Sequence, residues 1–496
     1  MSLRTTNRVT FIGGGSYQWV PVLFRDMAVN PALSDTQFVL HDIDIARNEE
    51  IASACRAMAA KLGSAIHVVT ENCLDKALQG ATAVILCIST GGLEAMSQDI
   101  ELPKKYGIYQ PVGDSTGPGG IVRTLRNIPV VVDLVRRMER HCPNAWLLNL
   151  TNPMNQIVRA VQQTSNIRVI GLCHEFKSFM STAKNVLGLT DWQNNISATI
   201  AGINHFSWVK ELSYNGTDLL PALRRYALDG TDESSARRLA PAGEAATAPR
   251  KDIHPSHTLG GNRVKFQLFN DYGLIPYPGD RHLVEFFPYY LSEKTDRGAA
   301  FGVQLTSIDD RRKWMNYFKE RLEKWTDADA DSIPRGASDE GLAPILAALI
   351  AGGPATVQPA TLPNTGQIVG LPLGTSVETL ATFSNGGLFP HASGSLPAPI
   401  HALVAKHSAN QDLTVEAALE GDRAKALQAM LADPLNNTND VREISALLDE
   451  LLEAHAHLLP QFFPRSASNG AASSVIPAPH RNGHTEAVEA VLSAAG

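Results

Sequence analysis

Apolar residues at the start of this chain cluster in short, nearly unbroken runs: Val9-Thr-Phe-Ile12, Phe38-Val-Leu40, Ala83-Val-Ile-Leu86, Ala145-Trp-Leu-Leu148 and Val169-Ile170. Runs this short, apolar at consecutive rather than alternate positions, predict strands covered on both faces. Helix-like stretches such as Arg47–Leu62 and Ile121–Arg140 separate them. Strands near 8–13, 37–42, 66–70, 83–89, 145–149 and 167–171 then alternate with helices. That alternation predicts an α/β fold, a Rossmann-like doubly wound parallel sheet with right-handed crossovers, over residues 1–171.

The pattern changes beyond that point. Residues 172–465 read as a second α+β, helix-rich domain for substrate binding and oligomerisation. It contains Ile196–Trp208, a strand-like run with polar residues embedded near its end. Residues 229–262 are polar and rich in Ala, Gly, Pro and charge, which predicts a mobile insertion or flap. From about residue 300 helices dominate, Val441–Leu459 being an amphipathic example. Residues 466–496, rich in Ser, Ala, Pro and Asn, read as a low-complexity tail.

Three of the predicted strands end in residues suited to ligands. The first runs into Gly13-Gly-Gly-Ser16. Glycines at 13 and 15 let the backbone turn tightly and approach a pyrophosphate, held at the positive end of the next helix. The second ends at Asp42, positioned to accept hydrogen bonds from ribose hydroxyls and to repel a 2′-phosphate. The third ends in Ile88-Ser-Thr-Gly-Gly92, with Thr90 at the same sheet edge. The third glycine position of the fingerprint is Gln18, so a plain strand-to-helix turn is the competing reading.

Size, charge and cysteine content narrow the options. A chain of 496 residues, 44% hydrophobic, has material for a large core. Its net charge of −7, without a basic stripe, excludes nucleic acid as a partner. No apolar run approaches the roughly 20 residues of a membrane span, and the start carries no signal-peptide core, so a cytoplasmic location is expected. Five cysteines, an odd number, fit reduced thiols better than a disulfide framework.

Four further segments are dense in reactive or glycine-rich residues. Gly113-Asp-Ser-Thr-Gly-Pro-Gly-Gly120 is either a flexible loop ahead of the helix carrying Arg123 or a backbone cradle with Asp114 at its edge. In Asn149–Asn155, Asn152 reads as a helix cap with Pro153 as the first helical residue, and its amide can also face a ligand. Cys173 and His205 are core residues or, if they meet, two ligands of a divalent metal with positions left open for substrate hydroxyls. Gly279-Asp-Arg-His282 is a solvated turn or a site. As a site, Asp280 or Tyr277 is the general base and Arg281 is a fork for an anionic group.

The ordered set Phe11–Ser16, Asp42-Ile-Asp44, Asp114–Gly120, Asn152-Pro-Met-Asn155, Cys173-His-Glu-Phe176 and Gly202-Ile-Asn-His205 resembles family 4 of the glycoside hydrolases, across residues 7–460. The resemblance implies NAD in the first domain and a divalent metal, commonly manganese, held by Cys173 and His205. It implies transient oxidation at C3, deprotonation at C2, elimination and water addition at C1, and return of the hydride. It also implies a homodimer or homotetramer. The position matching the Tyr base of some members makes Asp280 the first expected base and Tyr277 the second; His174 or Asp114 is the expected acid. Asn152, Arg281, His282, Arg123 and Glu175 are the expected substrate contacts.

Cys173-His-Glu-Phe176 is similar to the Cys-His-Glu-Val of α-galacturonidases in this family, departing at Phe176. It differs from the motifs of phospho-glycosidases, which disfavours a 6-phosphate substrate. An α-galacturonide is therefore the expected substrate, with a neutral α-galactoside or α-glucoside as the alternative. From another class, an NAD-dependent 2-hydroxy-acid dehydrogenase would share the first-domain pattern and need no metal, and an NAD-sensing protein would need no chemistry.

Overall fold

The apolar runs become β1 (Asn7–Ile12), β2 (Thr36–His41), β3 (His67–Thr70), β4 (Ala83–Leu86), β5 (Trp146–Asn149) and β6 (Arg168–Gly171). In the computed structural model, which describes residues 7–189, 195–229, 262–327, 333–334, 338, 340–437 and 439–463, they lie side by side as β3-β2-β1-β4-β5-β6, all parallel. The order reverses between β1 and β4, and such a switch point opens a crevice at the carboxyl ends of the strands.

Both faces of the sheet are covered, which is why the strands carry no polar alternation. On one side Val9, Phe11, Ile85 and Leu148 pack with Leu23 and Phe24 of helix Trp19–Ala28, Ile51 and Met58 of helix Ile45–Leu62, and Leu346 of helix Leu342–Ile350. On the other, Val84, Leu86 and Leu147 meet Val131 and Val135 of helix Gly117–His141 and Ile157 and Val161 of helix Met154–Thr164.

Residues beyond 171 extend this sheet. β7 (Ile196–Ile203), β8 (Phe206–Tyr214), β9 (Thr217–Asp218), β10 (Ile275–Pro276), β11 (Thr356–Pro363), β13 (Ser376–Ser384) and β14 (Gly387–Pro390) join it, while β12 (Ile368–Val369) and β15 (Gly394–Ser395) pair apart. The path continues from β6 as β11-β13-β7-β8-β10. It crosses β6 to β11 at the single pair Gly171 and Thr361, and β13 to β7 at the single pair Glu378 and Gly202.

Two expectations change here. The run Ile196–Trp208 is not one strand but a hairpin, with Asn204 and His205 between β7 and β8. Continuous apolar character on both sides hid the turn, and its polar pair looked like part of a strand. Past residue 300 helices do not stand alone, since β11 and β13 enter the central sheet. Pro359 and Pro363 mask β11 as a strand, because proline cannot donate to a ladder. The insertion at 229–262 lies almost wholly outside the described residues, as does the tail from 466. Among the described residues no helix is long and apolar enough to cross a membrane.

A buried charge cluster ties the C-terminal helices to the parallel half of the sheet. Arg126 gives Nη1 and Nη2 to the carboxylate of Asp99 and its Nε to the carbonyl of Thr90 at 3.0 Å. His455 Nε2 lies 3.0 Å from Asp99 Oδ1, and all three side chains are at most 1% exposed. Removing one partner of such a pair strands the other charge in the core. Asp99→Ala should therefore lower the unfolding free energy by about 3–5 kcal/mol, read as an earlier midpoint in urea. An unshifted midpoint would mean the Arg126 charge is compensated elsewhere.

Candidate active site

The crevice is built from chain turns at the ends of β1, β4, β5 and β6. Gly13 has φ +98°, and a Cβ there would lie 1.9 Å from the Cys87 carbonyl oxygen just past β4. Neither the backbone angle nor the space admits a side chain. A Cβ on Gly14 would lie 2.2 Å from Asn48 Oδ1. Ser16 accepts a hydrogen bond from Trp19 N at 3.2 Å, opening the first helix. Asp42 accepts from Gly15 N at 2.8 Å and from Asp44 N at 2.8 Å, which fixes the acid against the glycine turn. Thr90 Oγ1 is buried without a partner.

Asn152 departs from its expected role as a cap. The cap position belongs to Pro153, with no side-chain hydrogen bond, and helix Met154–Thr164 follows. The Asn152 amide instead donates to Asp114 Oδ2 at 3.1 Å, its Oδ1 is buried without a partner, and its carbonyl accepts from Arg123 Nε at 3.1 Å. An amide drawn to a buried carboxylate leaves the helix end uncapped.

Cys173 follows β6, and His205 occupies the β7–β8 turn at φ +64°, a conformation that costs a non-glycine residue on the order of 1 kcal/mol or more. The turn brings His205 Nε2 to 3.7 Å from Cys173 Sγ. On the other side of the ring, Nδ1 is 2.7 Å from Ser115 Oγ, which donates to Asp114 Oδ1 at 2.8 Å. With the Ser115 proton committed to Asp114, His205 must donate from Nδ1, so Nε2 presents its lone pair toward Cys173. His282 stacks on His205 with ring centroids 3.6 Å apart. Asp114, His205 and His282 offer ligand atoms all within 4.8 Å of one another.

Electrostatics separate these groups. Burial opposes ionisation of Asp114, but His282, His205, Arg123 and the Ser115 hydrogen bond outweigh it and hold its pKa well below the usual carboxylate range. Burial, with His205 alongside, lowers His282 to about 3, so its ring is neutral at pH 7. Burial pushes the Cys173 thiol well up, and Glu175 and Glu378 add to the shift.

The remaining expected residues fall in two groups. His174 lies 3.6 Å from Glu340 and 3.8 Å from Glu175, and Glu175 accepts from Gly279 N at 2.6 Å, fastening the turn that carries Asp280, Arg281 and His282. Asp280 is not brought to the metal-type cluster. Its two oxygens accept from Val264 N and Lys265 N at 3.0 Å each, capping helix Arg263–Tyr272. Tyr277 donates instead to Glu378, which also accepts from Asn204 Nδ2, Ser207 Oγ and Thr361 Oγ1 at 3.0–3.1 Å. Burial, then Glu378, raises the Tyr277 pKa far above its ordinary value. Sequence reading missed Glu378, Ser115, Glu340, Glu285 and Arg311. Ser115 alone had a local signal, inside the glycine-rich segment already singled out.

Known proteins share this arrangement of elements. The model of the family 4 glycosyl hydrolases matches residues 8–189, and that of the family 4 glycosyl hydrolase C-terminal domain matches residues 200–436. An alpha-galacturonidase of Thermoanaerobacterium saccharolyticum is 35% identical over 457 residues, spanning 90% of this chain and 95% of that one. A crystal structure described as the glucosidase LplD of Bacillus subtilis superposes with TM-score 0.79 at 32% identity, covering 90% of this chain and 100% of the other. The 6-phospho-beta-glucosidase of Thermotoga maritima, solved with manganese, NAD+ and glucose 6-phosphate, has the same fold with TM-score 0.70 at 22% identity, covering 91% and 99%. With both family models matched in order along most of its length, this chain belongs to family 4 of the glycosyl hydrolases.

Proposed function

We propose that the protein is an α-galacturonidase that uses NAD and a divalent metal ion, manganese by analogy with its relatives. The observation that carries the reading is the approach of Cys173 Sγ and His205 Nε2 to 3.7 Å at the sheet edge shared with the glycine turn. The chain's own residues fit both groups. The turn stays free of side chains because a Cβ at Gly13 or Gly14 would strike Cys87 or Asn48, and Asp42 stands at its rim for ribose hydroxyls. Cys173 and His205 form a soft donor pair, with His282 and Asp114 adjacent. A nearby cation would offset the burial that keeps the thiol protonated. When bound, the two groups supply reversible hydride acceptance and Lewis acidity.

Around them the side chains divide the remaining work. Tyr277 takes the C2 proton while its own proton passes to Glu378, because burial and that carboxylate keep it from being a phenolate beforehand. Asp280, with both oxygens on backbone amides, acts as a cap and not as the base. His174, between Glu340 and Glu175, protonates the leaving oxygen, since Asp114 stays ionised. The His-Glu of Cys173-His-Glu-Phe176 and the α-galacturonidase relative support a uronic-acid glycone.

The test is a panel of p-nitrophenyl glycosides with NAD and manganese: α-galacturonide, α-galactoside, α-glucoside and a 6-phosphoglucoside. The uronide should be hydrolysed fastest without build-up of NADH. Cleavage of a neutral sugar with the uronide inert would overturn the substrate assignment, and net NADH accumulation would overturn the hydrolytic cycle.

A further inference from the structure

The loop ahead of Asp114 is gripped by two arginines from different parts of the chain. Arg281, on the turn after Gly279, donates from Nη2 to the Pro111 carbonyl at 2.7 Å and to Thr306 Oγ1. Arg311, in the first turn of helix Ile308–Asp327, donates from Nη2 to the next carbonyl, Val112, at 3.1 Å. Consecutive carbonyls thus hold two guanidinium groups side by side. Both still have donors to give, since Nε of each is buried without a partner. Arg281 as a whole is 8% exposed.

Charge around the loop does not balance. Arg123, with Nη1 also buried and unpartnered, brings the cations near Asp114 to three. The facing acids are Asp114, Glu285 and Glu175, with Asp99 near Arg123 already paired to Arg126, and Glu285 holds Val112 N and Gly113 N through Oε1 alone, at 2.7 and 2.8 Å. Burial raises Glu285 to about 8, so at neutral pH three cations face two anions, Asp114 and Glu175. Buried cations with unspent donors are costly unless an anion meets them. Two guanidiniums anchored on adjacent carbonyls, each with an unspent Nε–H, can together donate to both oxygens of a planar carboxylate.

We propose that Arg311 is a specificity-determining residue, forming with Arg281 a two-guanidinium subsite for the C6 carboxylate of the sugar. This rests on the α-galacturonidase reading and names the side chain that would enforce it. Helix Ile308–Asp327 thereby contributes a substrate contact although its sequence looks like an ordinary solvated surface.

The experiment compares wild type, Arg311→Met and Arg311→Lys with NAD and manganese present. Readouts are kcat and KM on the p-nitrophenyl α-galacturonide and α-galactoside, and inhibition by free galacturonate and galactose. Losing a charge-assisted contact to the carboxylate should lower the uronide-to-galactoside ratio of kcat/KM about 10- to 100-fold in Arg311→Met. The loss should fall mainly on KM, with galacturonate inhibition weakened in parallel. Arg311→Lys keeps the charge and should recover part of the ratio, which covers the case of a misfolded methionine variant. An unchanged ratio, or equal losses on both substrates with no recovery by lysine, overturns the subsite while leaving the galacturonidase reading intact. If wild type ignores the uronide, that reading fails, and the subsite then stands only if galacturonate inhibits more strongly than galactose through Arg311.

Discussion

Cys173→Ser is expected to lower glycosidase turnover by about 10³-fold or more while leaving NAD binding and the melting temperature nearly unchanged. The expectation comes from the side chain's position. Cys173 sits just past the end of β6 with its sulfur aimed at the lone pair of His205, whose orientation is fixed through Ser115 and Asp114. A thiolate at that point is the softest donor available, and a serine hydroxyl, almost isosteric, does not ionise to match it. Lewis-acid stabilisation is worth several kcal/mol, and about 4 kcal/mol corresponds to the loss stated. The Gly13–Ser16 turn proposed to hold NAD follows β1 and packs on Cys87 past β4, so titration with NAD should give the wild-type affinity. Turnover within tenfold of wild type, at saturating manganese, would remove Cys173 from the metal site. Loss of NAD binding together with activity would instead point to a damaged fold.

The second large effect separates two residues three positions apart. Tyr277→Phe should reduce kcat about 10²- to 10⁴-fold, the usual worth of a positioned general base. Exchange of the C2 hydrogen with solvent, followed with a C2-deuterated substrate, should disappear with it. Asp280→Asn should behave differently. Its carboxylate caps helix Arg263–Tyr272 through two amides and lies next to the buried Lys265, so the substitution should lower the melting temperature and leave C2 exchange measurable. Exchange that survives in Tyr277→Phe but vanishes in a folded Asp280→Asn would reverse the assignment. Glu378→Gln provides an internal check, because a neutral amide cannot receive the Tyr277 proton and should mimic the phenylalanine variant in part.

The parallel half of the fold was legible because its strands other than the edge strand β3 are short apolar runs buried on both faces, a pattern few other structures produce. The glycine turn was legible because a strand running straight into Gly13-Gly-Gly15 has few other readings, and the steric demand proves to fall on Gly13 and Gly14. Cys173 and His205 were nameable from motif order, but nothing in their spacing showed that a tight turn at 203–206 brings them together. Glu378 was invisible for a different reason. In Ser376-Val-Glu-Thr-Leu380 it stands among polar residues, as a solvent-facing strand position does, yet it is buried with Tyr277, Asn204, Ser207 and Thr361 donating to its carboxylate. Arg311 was hidden in a helix so charged that its inward residue resembles its outward ones. Asn152 satisfied every local rule for a helix cap, and a carboxylate 38 residues away in sequence won its amide.

The two crossings in the long sheet have a mechanical meaning. Gly171 meets Thr361 and Gly202 meets Glu378, each through one backbone pair, and two or three residues beyond these glycines stand Cys173 and His205. A Cβ on Gly171 would lie 2.6 Å from Met154 Cγ and 2.9 Å from Thr361 Cβ, and one on Gly202 would lie 2.5 Å from the Phe206 carbonyl oxygen, so neither crossing admits a side chain. A shift of the backbone at either crossing would therefore change the sulfur-to-imidazole gap directly.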